Sequence, residues 1–459
     1  MTKLTCFKSY DVRGVVPSEL NSNVAYNIGR AFAAFLQPEL VVIGHDIRLT
    51  GPEIASAITA GLLEMGVDVI NIGQCGSEEI YFAVPHLEAD GGICITASHN
   101  PAEYNGMKFV REQAKPISSD NGLLEIQKLA EKAQFQSAPI IGNFKSQNIR
   151  KEYAKKILSF TDIKKLKPLK IVANPGNGGA GGVIEALEPH VPYHFNKIHF
   201  EPDGHFPNGV PNPLLPENRE STRKAVLDSN ADMGIAWDGD FDRCFFFDEK
   251  GNFIEGYYIV SLLTRIMLER SPREKIIYDP RLYWATQKTI SQYGGQGIVS
   301  KTGHAFIKDA MRSSDAIYGG EMSAHHYFRD FYYCDNGHLP WLLIAELLST
   351  TGKKLSELVS ELIHEHPCSG EINLKAENSD FIFKELIQQY EAAAINIDTI
   401  DGLGMEFEQW RFNIRASNTE PLLRLNVESL TDRHLMNTKT DELLAFIQSL
   451  TSTITKVKL

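Results

Sequence analysis

The sequence predicts an α/β protein, with three similar α/β domains in tandem followed by a smaller C-terminal α+β domain. Three observations carry this. Short apolar runs of strand length alternate with stretches of helical periodicity. The order strand, polar loop, helix starts afresh near residues 40, 169 and 275. Residues 368–459 then change character, alternating helix-like and strand-like patches before an amphipathic stretch, Asp432 to Leu450.

The length of 459 residues suits about three or four domains, and 43% apolar residues can fill several cores. Polar, irregular segments near 133–150 and 366–371 are the expected linkers, which gives domains 1–145, 146–254, 255–367 and 368–459.

In chain order, Lys8 and Arg13 flank a short strand or turn at the start. Val24 to Leu36 reads as a helix and Leu40 to Gly44 as a buried strand that runs into the polar loop His45 to Arg48. Pro52 opens a helix in which Ile54, Ile58, Leu62 and Met65 recur at helical spacing, and Val67 to Ile72 is the next strand. Gly91 to Ile95 is a further buried strand, and it delivers Thr96-Ala97-Ser98-His99-Asn100-Pro101 where an α/β sheet puts its chemistry. The Ser98 hydroxyl is expected to be presented, not buried.

Three serine chemistries compete at Ser98. A hydrolase elbow needs Gly-x-Ser-x-Gly, but Thr96 and Asn100 flank Ser98; a Ser-x-x-Lys acylase needs Lys at 101, which is Pro. Phosphoryl transfer remains, in which a serine carries the group while a cation and basic residues hold its charge.

Leu169 to Ala173 is a strand entering the loop Asn174 to Gly179. That loop lacks the Gly-Lys-Ser/Thr ending of a P-loop and the Gly-x-Gly-x-x-Gly spacing of a dinucleotide site, so its glycines are assigned to close packing. Ala231 to Trp237 and Cys244 to Phe247 read as strands on either side of Asp238-Gly239-Asp240-Phe241-Asp242-Arg243. Carboxylates at i, i+2 and i+4 on extended backbone point to one side, and three like charges so close call for a cation. Asp238, Asp240, Asp242 and Glu249 match positions 1, 3, 5 and 12 of a calcium EF-hand, but Arg243 replaces its glycine and an apolar strand its exiting helix. Oxygen ligands beside a phosphate suit Mg²⁺ better.

Lys275 to Tyr278 is a strand before Asp279-Pro280-Arg281 and a helix. Next come Lys301-Thr302-Gly303-His304 and Gly320-Glu321-Met322-Ser323-Ala324-His325, in which Glu321 and Ser323 at i, i+2 suit two neighbouring sugar hydroxyls. His326 and the cluster His364-Glu365-His366 lack a matched ligand set for zinc. Arg415-Ala416-Ser417-Asn418-Thr419-Glu420-Pro421, between the strands Trp410 to Ile414 and Leu422 to Val427, gathers the donors of a compact anion site.

A net charge of −12 argues against nucleic-acid or anionic-membrane partners, so phosphate must be met by a local basic cluster. Six scattered cysteines without a Cys-x-x-Cys pair read as reduced thiols of a cytoplasmic protein. No apolar leader region and no run of membrane-spanning length is expected.

With these four loops in order, the chain resembles the α-D-phosphohexomutase superfamily over its whole length, and within it the bacterial phosphomannomutase and dual phosphomannomutase/phosphoglucomutase branch. Phosphoglucosamine mutases usually show Ser-Ala-Ser-His-Asn-Pro and Gly-Glu-Gln-Ser-Gly-His, so Thr96 and Met322 count against that branch. The resemblance implies four domains around a central cleft, a phosphorylated Ser98, and Mg²⁺ held by Asp238, Asp240, Asp242 and that phosphate. It implies catalytic roles for Ser98, Lys108, Arg13 and His325, with Lys108 or His325 as the proton acceptor. Tyr10, Arg243, Arg281, His304, Glu321, Ser323, Arg415, Ser417, Asn418 and Thr419 become the substrate-binding set. The implied reaction interconverts hexose 6-phosphate and hexose 1-phosphate, of mannose and of glucose, through a hexose 1,6-bisphosphate. The partner is then a small phosphosugar, with no nucleic acid or membrane. A phosphoglucosamine mutase, a non-catalytic sugar-phosphate-binding protein and a calcium-binding structural protein are the alternatives.

Overall fold

The computed structural model describes residues 3–375, 378–416 and 422–450. They form two compact bodies: Met1–Phe253 with His325–Gly352, and Ile254–Ala324 with Lys353–Leu459.

The first body holds two sheets. In one, the strands Val12–Val15, Tyr104–Arg111, Gly91–Ile95, Leu40–His45, Asp68–Gln74 and Phe144–Ser146 lie side by side in that order. Leu40–His45 pairs parallel with Gly91–Ile95 on one side and Asp68–Gln74 on the other, so the sheet is wound in both directions from this strand. Loops at the carboxyl ends of such strands open onto the crevice where α/β sheets bind ligands, and the loop carrying Ser98 is one of them. Tyr104–Arg111 runs antiparallel to Gly91–Ile95 and sets Lys108 opposite Cys94. The helices Ser22–Leu36 and Gly51–Glu64 bury Ile28, Phe32, Ile54, Ile58 and Leu62 against Val41, Ile43, Ile93 and Ile95 of the sheet. The segment expected only to link domains contains Phe144–Ser146, a short edge strand parallel to Asp68–Gln74.

In the second sheet Cys244–Phe247, Met233–Trp237, Leu169–Asn174 and Tyr193–Lys197 are neighbours in that order. Met233–Trp237 and Cys244–Phe247 are an antiparallel pair, Trp237 opposite Cys244, and Asp238–Arg243 is the connection between them. All nine residues of the two strands are buried, and so is the loop between them, which makes it the tip of a rigid hairpin set in apolar surroundings. The returning segment adds the hairpin His326–Phe328 with Cys334–Asp335 and the buried helix Leu339–Thr351.

The second body contains the parallel strands Gln296–Val299, Lys275–Tyr278 and Tyr318–Gly320 with the helices Gly256–Arg270, Trp284–Gln292 and His304–Ser314. It also contains an antiparallel sheet ordered Ile372–Lys375, Leu422–Ser429, Trp410–Ala416, Leu403–Glu406, Asn396–Asp398. The helices Ser379–Tyr390 and Arg433–Leu450 contribute Ile382, Leu386, Leu443 and Ile447 to the core of that sheet. Among the described residues no helix is long and apolar enough to cross a membrane.

Candidate active site

Ser98 lies at the end of the strand Gly91–Ile95 with a left-handed φ of 49°. It is 1% exposed, which corrects the expectation of a presented hydroxyl. The burial follows from the loop's anchoring. The Arg48 guanidinium, itself 2% exposed, donates from Nη2 to the carbonyl oxygens of Ser98 (2.9 Å) and Asn100 (2.6 Å), and from Nη1 to those of Pro101 (2.7 Å) and Tyr104 (2.8 Å). Thr96 Oγ1 donates to Asp46 Oδ2 at 2.6 Å and accepts from the Ser98 N–H at 2.9 Å. A planar donor fork satisfies four main-chain carbonyls at once.

The acidic loop comes against this turn. A Cβ added to Gly239 would stand 2.4 Å from the Ser98 carbonyl oxygen, so only glycine permits the approach. Ser98 Oγ donates to Asp238 Oδ2 at 3.0 Å and lies 3.1 Å from His99 Nδ1. The loop is a turn in which Phe241 takes φ 49°, not the extended run expected from the i, i+2, i+4 spacing. The three carboxylates converge nonetheless, each offering an oxygen within 4.8 Å of the others, and all three residues are buried. Phe241 anchors the turn. Its ring fills the space a side chain would need at Gly76 or Gly179, and it meets His338 edge-on at 5.7 Å. The Trp237 indole N–H is tied to the Gly337 carbonyl at 2.9 Å.

Basic side chains are arranged round the carboxylates. Lys108 Nζ donates to Asp240 Oδ2 and Asp242 Oδ2, both at 2.6 Å. Arg243 Nε is 3.2 Å from Asp238 Oδ2, and its Nη2 is 3.1 Å from His99 Nδ1. His325 Nε2 is 3.5 Å from Asp242 Oδ1 and 3.9 Å from Asp335 Oδ2, a second acidic group in the cluster. Burial opposes the Lys108 charge, but Asp240 and Asp242 outweigh it and hold the ammonium above its ordinary value. Burial, then the charges of Asp242 and Asp240, push the Asp238 carboxyl up against the pull of Arg243. Asp242 is opposed by burial yet held well below the usual carboxylate range by Lys108, His325 and Arg243. Asp240 Oδ1 is buried with no hydrogen-bond partner among the described residues. A raised carboxyl beside an orphaned carboxylate oxygen is the signature of a site short of positive charge. The residues present therefore fit a divalent cation with oxygen ligands.

Arg13 stands one step away. Its Nε donates to Asp11 Oδ2 at 2.8 Å, and its Nη1 reaches Asn100 Oδ1, on the serine loop, at 2.6 Å. Tyr10 is half-buried just before the strand that carries Arg13.

The remaining expected residues lie in the second body. Glu321 is buried; its Oε1 accepts from the Gly303 N–H at 2.8 Å and its Oε2 from Ser323 Oγ at 2.9 Å. His304 opens the helix His304–Ser314 one residue beyond Gly303. Arg281 is committed to carboxylates: Nε and Nη2 bond Asp279 at 2.9 and 2.7 Å, and Nη1 bonds Glu371 Oε2 at 2.5 Å. Asp279 Oδ2 also receives the Met322 N–H at 3.0 Å, so Arg281 and Asp279 brace the loop that holds Glu321. Arg415 is next to last in the strand Trp410–Ala416, with Nε 3.7 Å from Asp401 Oδ2. Ser417, Asn418 and Thr419 lie outside the described residues.

Sequence reasoning missed Arg48, Ser77, Asp335, Glu371 and Arg424. Arg424 is opposite Arg415 across the sheet and 3.5 Å from Glu371. Ser77 begins the helix Ser77–His86, and the run Gly76-Ser77-Glu78-Glu79-Ile80 carries a helix-start signal that could have revealed it. No local pattern marks the others.

Four domain families match the chain in sequence: phosphoglucomutase/phosphomannomutase alpha/beta/alpha domain I over residues 5–137, domain II over 151–251, domain III over 255–366, and the C-terminal domain over 371–445. A phosphomannomutase of Escherichia coli is 54% identical over 456 residues, spanning 98% of this chain and 100% of that protein. A protein of Xanthomonas campestris pv. campestris described as phosphohexose mutases is 52% identical over 440 residues, 96% of this chain and 98% of its own. The crystal structure of a phosphoglucomutase/phosphomannomutase family protein from Burkholderia thailandensis superposes with a TM-score of 0.87 at 29% identity, covering 98% of each chain.

Proposed function

Because the chain belongs to the phosphoglucomutase/phosphomannomutase family along its whole length, we propose that it is a cytoplasmic mutase interconverting mannose 6-phosphate and mannose 1-phosphate, and the corresponding glucose phosphates. The proposed route runs through a phosphorylated Ser98 and a hexose 1,6-bisphosphate. The observation that carries this is the Ser98 hydroxyl 3.0 Å from Asp238, within a ring of three buried aspartates, Lys108, Arg243 and His325.

Asp238, Asp240 and Asp242, with a phosphate on Ser98, would hold Mg²⁺, which supplies charge neutralisation for the transferring group. The sugar's existing phosphate is assigned to Arg415, Ser417, Asn418 and Thr419, and two ring hydroxyls to Glu321 and Ser323. Fixing the far end in this way turns the free hydroxyl toward phosphoserine 98. The hydroxyl oxygen bonds to phosphorus as the Ser98 Oγ–P bond breaks, and its proton passes to a base.

Lys108 and His325 were both expected as that base. Lys108 has two carboxylates on its ammonium and is held protonated, so it serves as a fixed positive charge and His325 takes the proton. Arg243, Lys108 and Arg13, through Asn100, balance the charge that spreads over the phosphoryl oxygens. The bisphosphate then reverses, and Ser98 Oγ bonds to the phosphorus of the phosphate the sugar brought as that sugar O–P bond breaks, the proton returning to the freed sugar oxygen. Arg281, held by Asp279 and Glu371, is assigned to the substrate-binding set and also supports the sugar loop. Tyr10 and His304 are assigned to the substrate's flank, and the domain divisions are taken as 145/146, 254/255 and 367/368.

Intact mass and peptide mapping before and after incubation with a hexose 1,6-bisphosphate, followed by turnover of mannose and glucose phosphates with Mg²⁺, test the proposal. One phosphate on Ser98 with turnover of both sugars is expected. An unmodified Ser98 under turnover conditions would overturn it.

A further inference from the structure

Ser77 is 0% exposed and begins the helix Ser77–His86, more than 160 positions before Asp240 in the chain. Its hydroxyl donates to Asp240 Oδ2 at 2.6 Å and accepts from Lys108 Nζ at 3.0 Å, while Lys108 Nζ also reaches the same Asp240 oxygen at 2.6 Å. These three groups close a triangle of hydrogen bonds. The main chain adds a fourth tie, the Ser77 N–H to the Asp240 carbonyl at 3.3 Å. A Cβ at Gly76 would stand 2.6 Å from that carbonyl oxygen, so the helix start and the acidic loop are in direct contact.

A serine hydroxyl has one proton and two lone pairs. Here the proton goes to Asp240 and a lone pair to Lys108, so the hydroxyl can satisfy both neighbours only in this one orientation. The consequence for Asp240 is asymmetry. Its Oδ2 has two donors, whereas its Oδ1 is buried without one among the described residues. A carboxylate so fixed cannot exchange its oxygens by rotation, and it keeps Oδ1 as the oxygen left for a cation.

We propose that Ser77 is a positioning residue for the metal centre: it locks the Asp240 carboxylate with Oδ1 as the metal-facing oxygen and holds Lys108 in place beside it. This rests on the reading of the three aspartates as a Mg²⁺ site. Ser77 touches neither substrate nor metal; it acts through Asp240 and Lys108. Partners that orient a metal ligand in this way are typically worth about 10- to 100-fold in metal affinity.

The test is titration of the purified full chain with Mg²⁺ alone, by calorimetry, for wild type, Ser77→Ala and Ser77→Thr, with urea unfolding of each in parallel. Ser77→Ala is expected to raise the Mg²⁺ Kd about 10- to 100-fold and to lower kcat at limiting Mg²⁺, with excess Mg²⁺ restoring part of the rate and the sugar-phosphate KM changed less than about twofold. Ser77→Thr, which keeps the hydroxyl, is expected to stay near the wild-type Kd. If Ser77→Ala does not fold, Ser77→Cys measured under reductant replaces the strong donor with a weak one and is expected to shift Kd in the same direction. Wild-type Mg²⁺ affinity in folded Ser77→Ala or Ser77→Cys, with or without lowered stability, would overturn the role of Ser77 alone. Absence of Mg²⁺ binding by the wild-type chain would instead overturn the metal reading on which it rests.

Discussion

Ser98 Oγ and Asp238 Oδ2 are 3.0 Å apart although 140 residues separate them in the chain. Each terminates a buried strand, in two different sheets of one compact body, and the contact is possible because Gly239 presents no side chain to the Ser98 carbonyl. If Ser98 carries the phosphoryl group, Ser98→Ala should take up no phosphate from a hexose 1,6-bisphosphate and should lose roughly 10⁴-fold or more in turnover, as loss of a covalent nucleophile does. Its unfolding curve should remain close to wild type, because the replaced hydroxyl makes two contacts and fills little volume. Intact mass and a coupled mutase assay read the first two outcomes, and urea unfolding the third.

Gly239→Ala probes the approach of the two loops without touching any titrating group. The new methyl would lie 2.4 Å from the Ser98 carbonyl oxygen, a main-chain atom pinned by Arg48, so the acidic loop must move instead. A displacement near 1 Å at a reacting centre costs about 10²-fold in rate. The variant should therefore fold with wild-type circular dichroism and show kcat reduced by about that factor. Wild-type kcat would mean that the loops tolerate separation.

The chemistry-bearing loops were legible because each joins two strong local signals. Cys244–Phe247 and Gly91–Ile95 are found where their apolar runs place them, and the acidic triplet between buried strands has few other uses. What holds the loops was not legible. Arg48 looks like any polar residue after a strand, and only its burial against four carbonyl oxygens discloses its role. Burial of Ser98 was missed for the same reason: exposure is a tertiary property, and small polar neighbours do not reveal what packs over them. The extended geometry expected for Asp238 to Asp242 failed because Phe241 is drawn into an apolar niche at Gly76 and Gly179, and that turns the backbone. The bonds that hold Arg281 to Asp279 and Glu371 were not legible either, because no spacing rule brings Glu371 to it.

Arg48 makes the next prediction. Arg48→Met would leave four main-chain oxygens without their donor, and the loss of one partner from a buried charged network costs about 3–5 kcal/mol. Arg48→Lys offers three donors from a single point and cannot serve four carbonyls spread over a planar fork. Both variants should lower the urea midpoint of the body that contains them, Met more than Lys, and both should slow phosphate uptake by Ser98. Equal stability of Arg48→Lys and wild type would show that the fork is not required.

Glu371 predicts an acid limb. Burial opposes its charge, but Arg281, Arg424 and Arg415 overcome this and hold its carboxyl below the ordinary 4.5. A depressed pKa contributes stability that is present above the unfolded value and is lost as pH falls through the folded one. Stability measured by urea unfolding should therefore decline below about pH 4.5, and Glu371→Gln should be less stable than wild type near neutrality, with a difference that narrows on acidification. A difference independent of pH across that range would locate the effect in packing and not in charge.

The proposed sugar contact of Glu321 predicts how mannose and glucose phosphates would be treated. Its oxygens accept from the Gly303 N–H and Ser323 Oγ, an arrangement that fixes the orientation of the carboxylate. Mannose and glucose differ only at C2. If Glu321 and Ser323 hold hydroxyls that both sugars share, the pocket has no means of telling the epimers apart, and one enzyme serves both. Glu321→Ala then removes a charge-assisted hydrogen bond common to both substrates, worth about 1.5–3 kcal/mol, or roughly 10- to 10²-fold in kcat/KM. The expected outcome is an equal loss on mannose and glucose phosphates, with the ratio of the two activities unchanged. A loss confined to one sugar would place the C2 hydroxyl at Glu321 and make this residue the source of discrimination.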